Sequence, residues 1–319
     1  MKTPMYVVAA MFTTMLTAGA SSLHATTITA TQDPAKFGGL DQGKTNCADL
    51  GCGPAAAVNS FVYLQTMFPD TYKTPLVGTA SGTKPTTAEQ VDAANALAPK
   101  MGCCATKGTL IEDFILGKME YIESKNKGVT TYTAQDGLAW RPAPSGGSHP
   151  GTAKPDFVQD KTNPTLAFIA AELKAGEDVE IFISVFQSQP MKSLGDHALT
   201  LTGISFDDTT NTGSVSFVDP LGGTKGSANI TGLEQGFIKL DYKAPGVGGD
   251  FAVVFAAVAE SPIPEPETLA MMLIGCLGLF WYVSSRREKL ESQPFDLATR
   301  VDPAIRRQNS AFPKVIALS

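Results

Sequence analysis

The triplet Pro264-Glu265-Pro266 sets the outer limit on what this chain can fold into. Each proline lacks a backbone donor and restrains the residue before it, so the triplet cannot sit inside a helix or a central strand. It marks an exposed, extended boundary. Beyond it an apolar stretch runs from Leu269 to Val283 and ends at Ser284-Ser285-Arg286-Arg287. A lone span needs about 20 apolar residues. This stretch is shorter, but snorkelling of Arg286 and Arg287 extends it and holds the C-terminal flank cytoplasmic. At the other end, Lys2, an apolar run from Met5 to Leu16 and the A-x-A pattern Ala18-Gly19-Ala20 read as a secretory signal peptide, with Ala25 a second cleavage candidate. The folded body is thereby confined to residues 26–260.

A body of that length suits one mixed domain. With 43% hydrophobic and 18% charged residues, the 319-residue chain is neither disordered nor collagen-like. It has 25 basic and 31 acidic residues, a net charge of −6, and the body alone carries 17 basic against 25 acidic side chains. A phosphate backbone is therefore excluded as the expected partner, and no nucleic acid is assigned.

The body shows no repeat and divides into a helical first half and a strand-rich second half. Helices are expected over Pro54 to Phe68, over Thr86 to Leu97 behind a Thr-Thr-Ala-Glu capping box, and over Thr109 to Ser124. Residues 142–163, rich in Pro, Gly, Ser and Lys, are expected to form a long surface loop. A helix from Pro164 to Ala175, stopped by Gly176, leads into strands at Val179 to Val185, Leu199 to Ile204, Ser214 to Val218, Phe237 to Tyr242 and Phe251 to Val258. Asp207-Asp208 followed by Thr-Thr-Asn reads as a hairpin turn, with a calcium site the weaker alternative. Helices first and an antiparallel sheet afterwards give an α+β expectation.

Four cysteines (Cys47, Cys52, Cys103, Cys104) and two histidines (His149, His197) lie in the body, and their scarcity makes each informative. Cys52 stands at the start of a predicted helix in Gly51-Cys52-Gly53-Pro54-Ala55-Ala56-Ala57-Val58-Asn59-Ser60. Unpaired amides and the positive end of the helix dipole favour a thiolate there and offer an N–H to an acyl oxyanion. His197 enters a strand in Gly195-Asp196-His197-Ala198-Leu199, where an imidazole is held rigidly enough to serve as base and acid. Asp219, in Phe217-Val218-Asp219-Pro220-Leu221-Gly222-Gly223, ends the neighbouring strand and would orient that ring. His149, in the Gly/Pro/Ser loop, is expected to be solvated.

Two resemblances follow from these residues. Pro264-Glu265-Pro266, the apolar stretch and the Arg pair resemble the PEP-CTERM sorting signal of Gram-negative bacteria, a tail also catalogued as an ice-binding protein C-terminal domain. The resemblance implies processing by an exosortase and release to the cell surface or an exopolysaccharide matrix. The body lacks the Thr-x-Thr ladders an ice-binding face would need. Such signals usually end after the Arg pair, whereas here residues 288–319 follow as a cytoplasmic tail. The chain thus reads as signal peptide 1–25, body 26–260, sorting signal 261–287 with a transmembrane helix at 269–283, and tail 288–319.

The body, from Cys52 to Ser60, Asp196 to Ile204 and Val218 to Gly223, resembles papain-like cysteine peptidases of the bacteriocin-processing type. That resemblance implies a papain-like fold, a peptide substrate, Cys52 as nucleophile, His197 as base and Asp219 as orienter. The family places a glutamine of the oxyanion hole about six residues before the nucleophile. Here Gln42 lies ten residues upstream and Asn46 occupies the nearer position, so either the loop from Gly43 to Leu50 is an insertion or the hole is altered. A non-catalytic surface or matrix protein is the alternative. Export favours disulfides, and Cys47 paired with Cys103 or Cys104 leaves Cys52 free; Cys47 is the fallback nucleophile. No cofactor or metal is expected, since the cysteines lack paired C-x-x-C spacing.

Overall fold

The computed structural model describes residues 26–78, 83–104, 108–141, 149 and 151–262. The chain divides into two units, Met1–Ile263 and Pro264–Ser319, and every described residue belongs to the first. The expected signal peptide, the Pro-Glu-Pro triplet, the expected transmembrane stretch 269–283 and the tail 288–319 lie outside the described residues. Among those described, no helix is long and apolar enough to cross a membrane.

In chain order the elements are β1 (Thr27–Thr31), α1 (Cys52–Met67), α2 (Thr87–Leu97), α3 (Ile111–Lys125), β2 (Thr130–Asp136), β3 (Val158–Asp160), α4 (Leu166–Ala175), β4 (Asp178–Ser188), β5 (Met191–Asp207), β6 (Thr212–Asp219), β7 (Thr224–Glu234), β8 (Phe237–Leu240) and β9 (Phe251–Pro262). This corrects the expected papain-like α+β arrangement. The body is built on one mixed sheet of nine strands carrying four helices, not on N-terminal helices followed by a separate C-terminal antiparallel sheet. Strands occur before α1 and between α3 and α4, and β2 pairs with β3 in parallel. The strands β1 and β3, which are short, and β7, which is polar, carry little of the apolar alternation from which strands are read, and only their pairing defines them. Part of the expected 142–163 loop is accordingly β3.

Pairing of β4 with both β5 and β9 closes β4 to β9 into a ring of six antiparallel strands, with β1 added beside β5 and β2 beside β9. Strand periodicity sorts the side chains of β4: Val179, Ile181, Ile183 and Val185 pack in one cluster with Leu199, Leu201 and Phe217, while Phe182 faces the cluster under α1, α2 and α3. The turn between β5 and β6 is made by Asp207, whose Oδ1 accepts the Thr209 and Thr210 amides at 2.8 and 2.9 Å.

Helix α1 is buried from Gly53 to Gln65. Its small Ala55-Ala56-Ala57 face lets β5 approach closely enough for Thr200 Oγ1 to donate to the Ala56 carbonyl at 2.9 Å. Helix α2 carries the expected capping box, with Thr86 and Glu89 each satisfying the other's backbone amide. Gly176, with φ 88°, stops α4 in the left-handed conformation glycine adopts without strain. Helix α3 is fastened by a fully buried charge cluster: Lys118 Nζ contacts Asp178 at 2.9 Å, Glu180 at 2.6 Å, and Glu260. Burial pushes Glu180 up to about 7 against the pull of Lys118.

Candidate active site

Three elements converge on Cys52. The first is α1 itself, whose opening residue is Cys52 and which has no side-chain cap at Gly51, so its first-turn amides find no capping oxygen. The second is β5. His197 lies inside the strand rather than at its entrance, in register with Ile183, and shares its face with Leu199 and Leu201. The third is the end of β6, where Asp219 Oδ1 accepts from His197 Nε2 at 2.8 Å and from the Leu221 amide at 2.8 Å.

The Cys52 side chain lines the same cavity beside the imidazole and helps to hold it up. With Nε2 committed to Asp219, Nδ1 is the ring nitrogen left for the thiol. Burial depresses the imidazole, but the hydrogen bond to Asp219, the neighbouring Cys52 and the negative charge of the two outweigh it and hold it up at about 9. The structure thus brings Cys52, His197 and Asp219 into one group, in which His197 is hydrogen-bonded to Asp219. Tyr242, which nothing local in the sequence marks, completes it: its hydroxyl donates to Asp219 Oδ2 at 2.8 Å and its ring stacks beside His197 with centroids 6.1 Å apart.

Gln42 sits in a 3-10 turn, Gln42–Lys44, and is 3% exposed. Its amide N–H donates to the Pro220 carbonyl at 2.9 Å, which ties it to the residue after Asp219. Its Nε2 donates to the Asp49 carbonyl at 3.2 Å, leaving the second hydrogen of that amide group available. Gln42 lines the same cavity as Cys52 and His197. Asn46 is exposed, and its backbone amide is engaged by Asn95 Oδ1 at 2.8 Å. Of the two candidates for the oxyanion donor, Gln42 is the one that lines the cleft with Cys52.

The ten-residue gap between Gln42 and Cys52 is spanned by a loop clasped by a disulfide. Cys47 is bonded to Cys104, with Cα atoms 4.7 Å apart, and Cys52 and Cys103 are free. Ala48 (φ 40°) and Cys104 (φ 87°) hold left-handed backbone at the clasp, a conformation that costs residues with a side chain. Cys103 Sγ donates to the Leu50 carbonyl at 3.1 Å, and burial pushes this thiol up to about 11. Cys47, the fallback nucleophile, is consumed by the bridge.

Two cavities of about 410 and 850 Å³ open on either side of Cys52 and His197. The larger runs over Phe182, Phe186, Phe237 and Phe255; the smaller is bounded by Leu221 and the segment from Ala244 to Val247. His149, expected to be solvated, is instead half-buried, with its ring 3.5 Å from Asp113 and 3.3 Å from Glu120, apart from this site. Cys47, Cys103 and Cys104 bring their sulfurs within 4.8 Å of one another, but two of the three form the disulfide, which removes them as thiolate ligands. No family model matches the chain, and no curated protein matches it.

Proposed function

We propose that the body is a cysteine-dependent hydrolase that cleaves peptide bonds outside the cytoplasm, in a protein sorted by an exosortase. The export and sorting parts rest on the signal peptide and the tail motif, which imply passage through the inner membrane and delivery to the surface or an exopolysaccharide matrix. The hydrolase part rests on one observation: His197, hydrogen-bonded to Asp219, lines the same open cleft as Cys52 at the uncapped start of α1.

The chemistry follows from those positions. His197 takes the Cys52 proton, and the resulting imidazolium is stabilised by Asp219, which keeps Nδ1 aimed at the sulfur. The thiolate attacks a peptide carbonyl. The oxyanion meets the Cys52 amide and the second Nε2 hydrogen of Gln42. His197 then protonates the leaving amine, and in the second half of the cycle it activates the water that hydrolyses the thioester.

The test is labelling with an iodoacetamide probe near neutral pH, followed by turnover of a fluorogenic peptide mixture. Cys52 should be modified well ahead of Cys103, and modification should stop hydrolysis. A wild-type protein that neither labels at Cys52 nor cuts any peptide would leave a non-catalytic surface or matrix component.

A further inference from the structure

The two cavities meet at a shared waist whose polar side chains, apart from Cys52 and His197, are carboxylates. Asp49 and Asp196, both exposed, line each cavity together with Cys52 and His197. They arrive from different elements: Asp49 from the 3-10 turn Ala48–Leu50 just before α1, and Asp196 from β5 just before His197. Ser184 Oγ donates to Asp196 Oδ1 at 2.6 Å and fixes that carboxylate.

Positive charge is scarce in the same place. Among the described residues, Arg141 is the one basic side chain lining either cavity, and it belongs to the larger cavity rather than to the waist. Its own backbone amide donates to Glu112 Oε1 at 2.8 Å, which adds another carboxylate to that wall. The thiolate and the imidazolium offset one another. What a substrate side chain feels beside the thiol is therefore set by Asp49 and Asp196.

We infer that the cleft selects peptides carrying a lysine or arginine next to the scissile bond. This rests on the hydrolase reading above and adds the substrate's charge to it. A cation at the waist gains from two carboxylates, while an acidic side chain is repelled by the same pair. Because both carboxylates are exposed, the discrimination is one that salt weakens.

The experiment uses the mature body and three fluorogenic peptide series, identical except for Lys, Gln or Glu on either side of the cleaved bond. At about 50 mM salt, kcat/KM for the Lys series should exceed that for the Glu series by about tenfold or more, and the ratio should shrink towards unity near about 0.5 M salt. Combining Asp49→Asn with Asp196→Asn should bring the ratio to within about twofold, with iodoacetamide labelling of Cys52 and circular dichroism confirming that the variant is folded. If all three series are cut alike, or if the double variant keeps the wild-type ratio, the charge assignment is overturned and the hydrolase stands. If no peptide of any charge is cut, the hydrolase itself is overturned and the assignment goes with it.

Discussion

Tyr242 donates its hydroxyl to the Asp219 oxygen that His197 leaves free, at 2.8 Å, so a buried carboxylate is held at both ends by ring-bearing side chains. Removing that donor should destabilise the fold. A hydrogen bond to a charged group contributes about 1.5–3 kcal/mol, and Tyr242→Phe should lose an amount in that range by urea titration. Asp219→Asn should do more at the site, because His197 then loses its counter-charge: its titration, followed by NMR, should fall well below the wild-type value of about 9. An unchanged titration in Asp219→Asn would contradict the geometry.

Catalytic loss should separate the roles around the thiol. Cys52→Ala removes one sulfur and should abolish turnover while circular dichroism stays that of the wild type. Gln42→Ala should lower kcat by about 100- to 1000-fold, the usual cost of one oxyanion donor. Asn46→Ala should leave kcat unchanged, because Asn46 is exposed and away from the cleft wall.

The imidazole also makes stability depend on pH. His197 titrates at about 9 in the folded chain and at about 6.5 when unfolded, so the folded state keeps a proton the unfolded chain releases. That stabilisation is complete below about pH 6.5 and is lost as pH rises through about 9. The midpoint difference between wild type and His197→Gln should therefore shrink between those limits. Turnover should fall across the upper one as the thiolate–imidazolium pair loses its proton.

Mass spectrometry of the unreduced mature protein should find Cys47 joined to Cys104 and alkylation at Cys52 and Cys103. The bridge closes a sequence separation of 57 residues. The loop-entropy estimate for such a loop is about 4 kcal/mol of stability, lost in Cys104→Ser. Because the clasped loop also places Gln42 and Asp49, the variant should lose turnover even at temperatures where it remains folded. A bridge containing Cys52 would contradict the nucleophile assignment.

Lys118→Met tests the buried cluster under α3. Asp178, Glu180 and Glu260 would be left together without their cation, at a cost of about 3–5 kcal/mol. Adding Glu180→Gln and Glu260→Gln to Lys118→Met should restore much of that loss, since the penalty comes from uncompensated charge. A single variant with wild-type stability would show that the lysine is not needed as counter-ion.

Part of the candidate site was legible in the sequence because its signals are local. Pro54 in a helical first turn places Cys52 at a helix start, the capping box fixes α2, and Gly176 ends α4. Asp219 was read from its place at the end of the neighbouring strand and from the resemblance to papain-like peptidases, while scarcity singled out His197. Cys47 was separable from Cys52 for the same reason, but Cys103 and Cys104 are adjacent and only folded geometry chose between them. The architecture was not visible. Strands β1, β3 and β7 are short or polar, and β4 reads as a strand without revealing that it pairs on both edges, with β5 and β9. Whether Gln42 or Asn46 reaches the thiol likewise depended on how a clasped loop crosses ten residues. Tyr242 joins Asp219 only because the ring of strands closes. Helix caps and turns are set by neighbours in the chain, whereas strand pairing, loop closure and buried hydrogen bonds are set by residues distant in sequence, and these the tertiary structure decided.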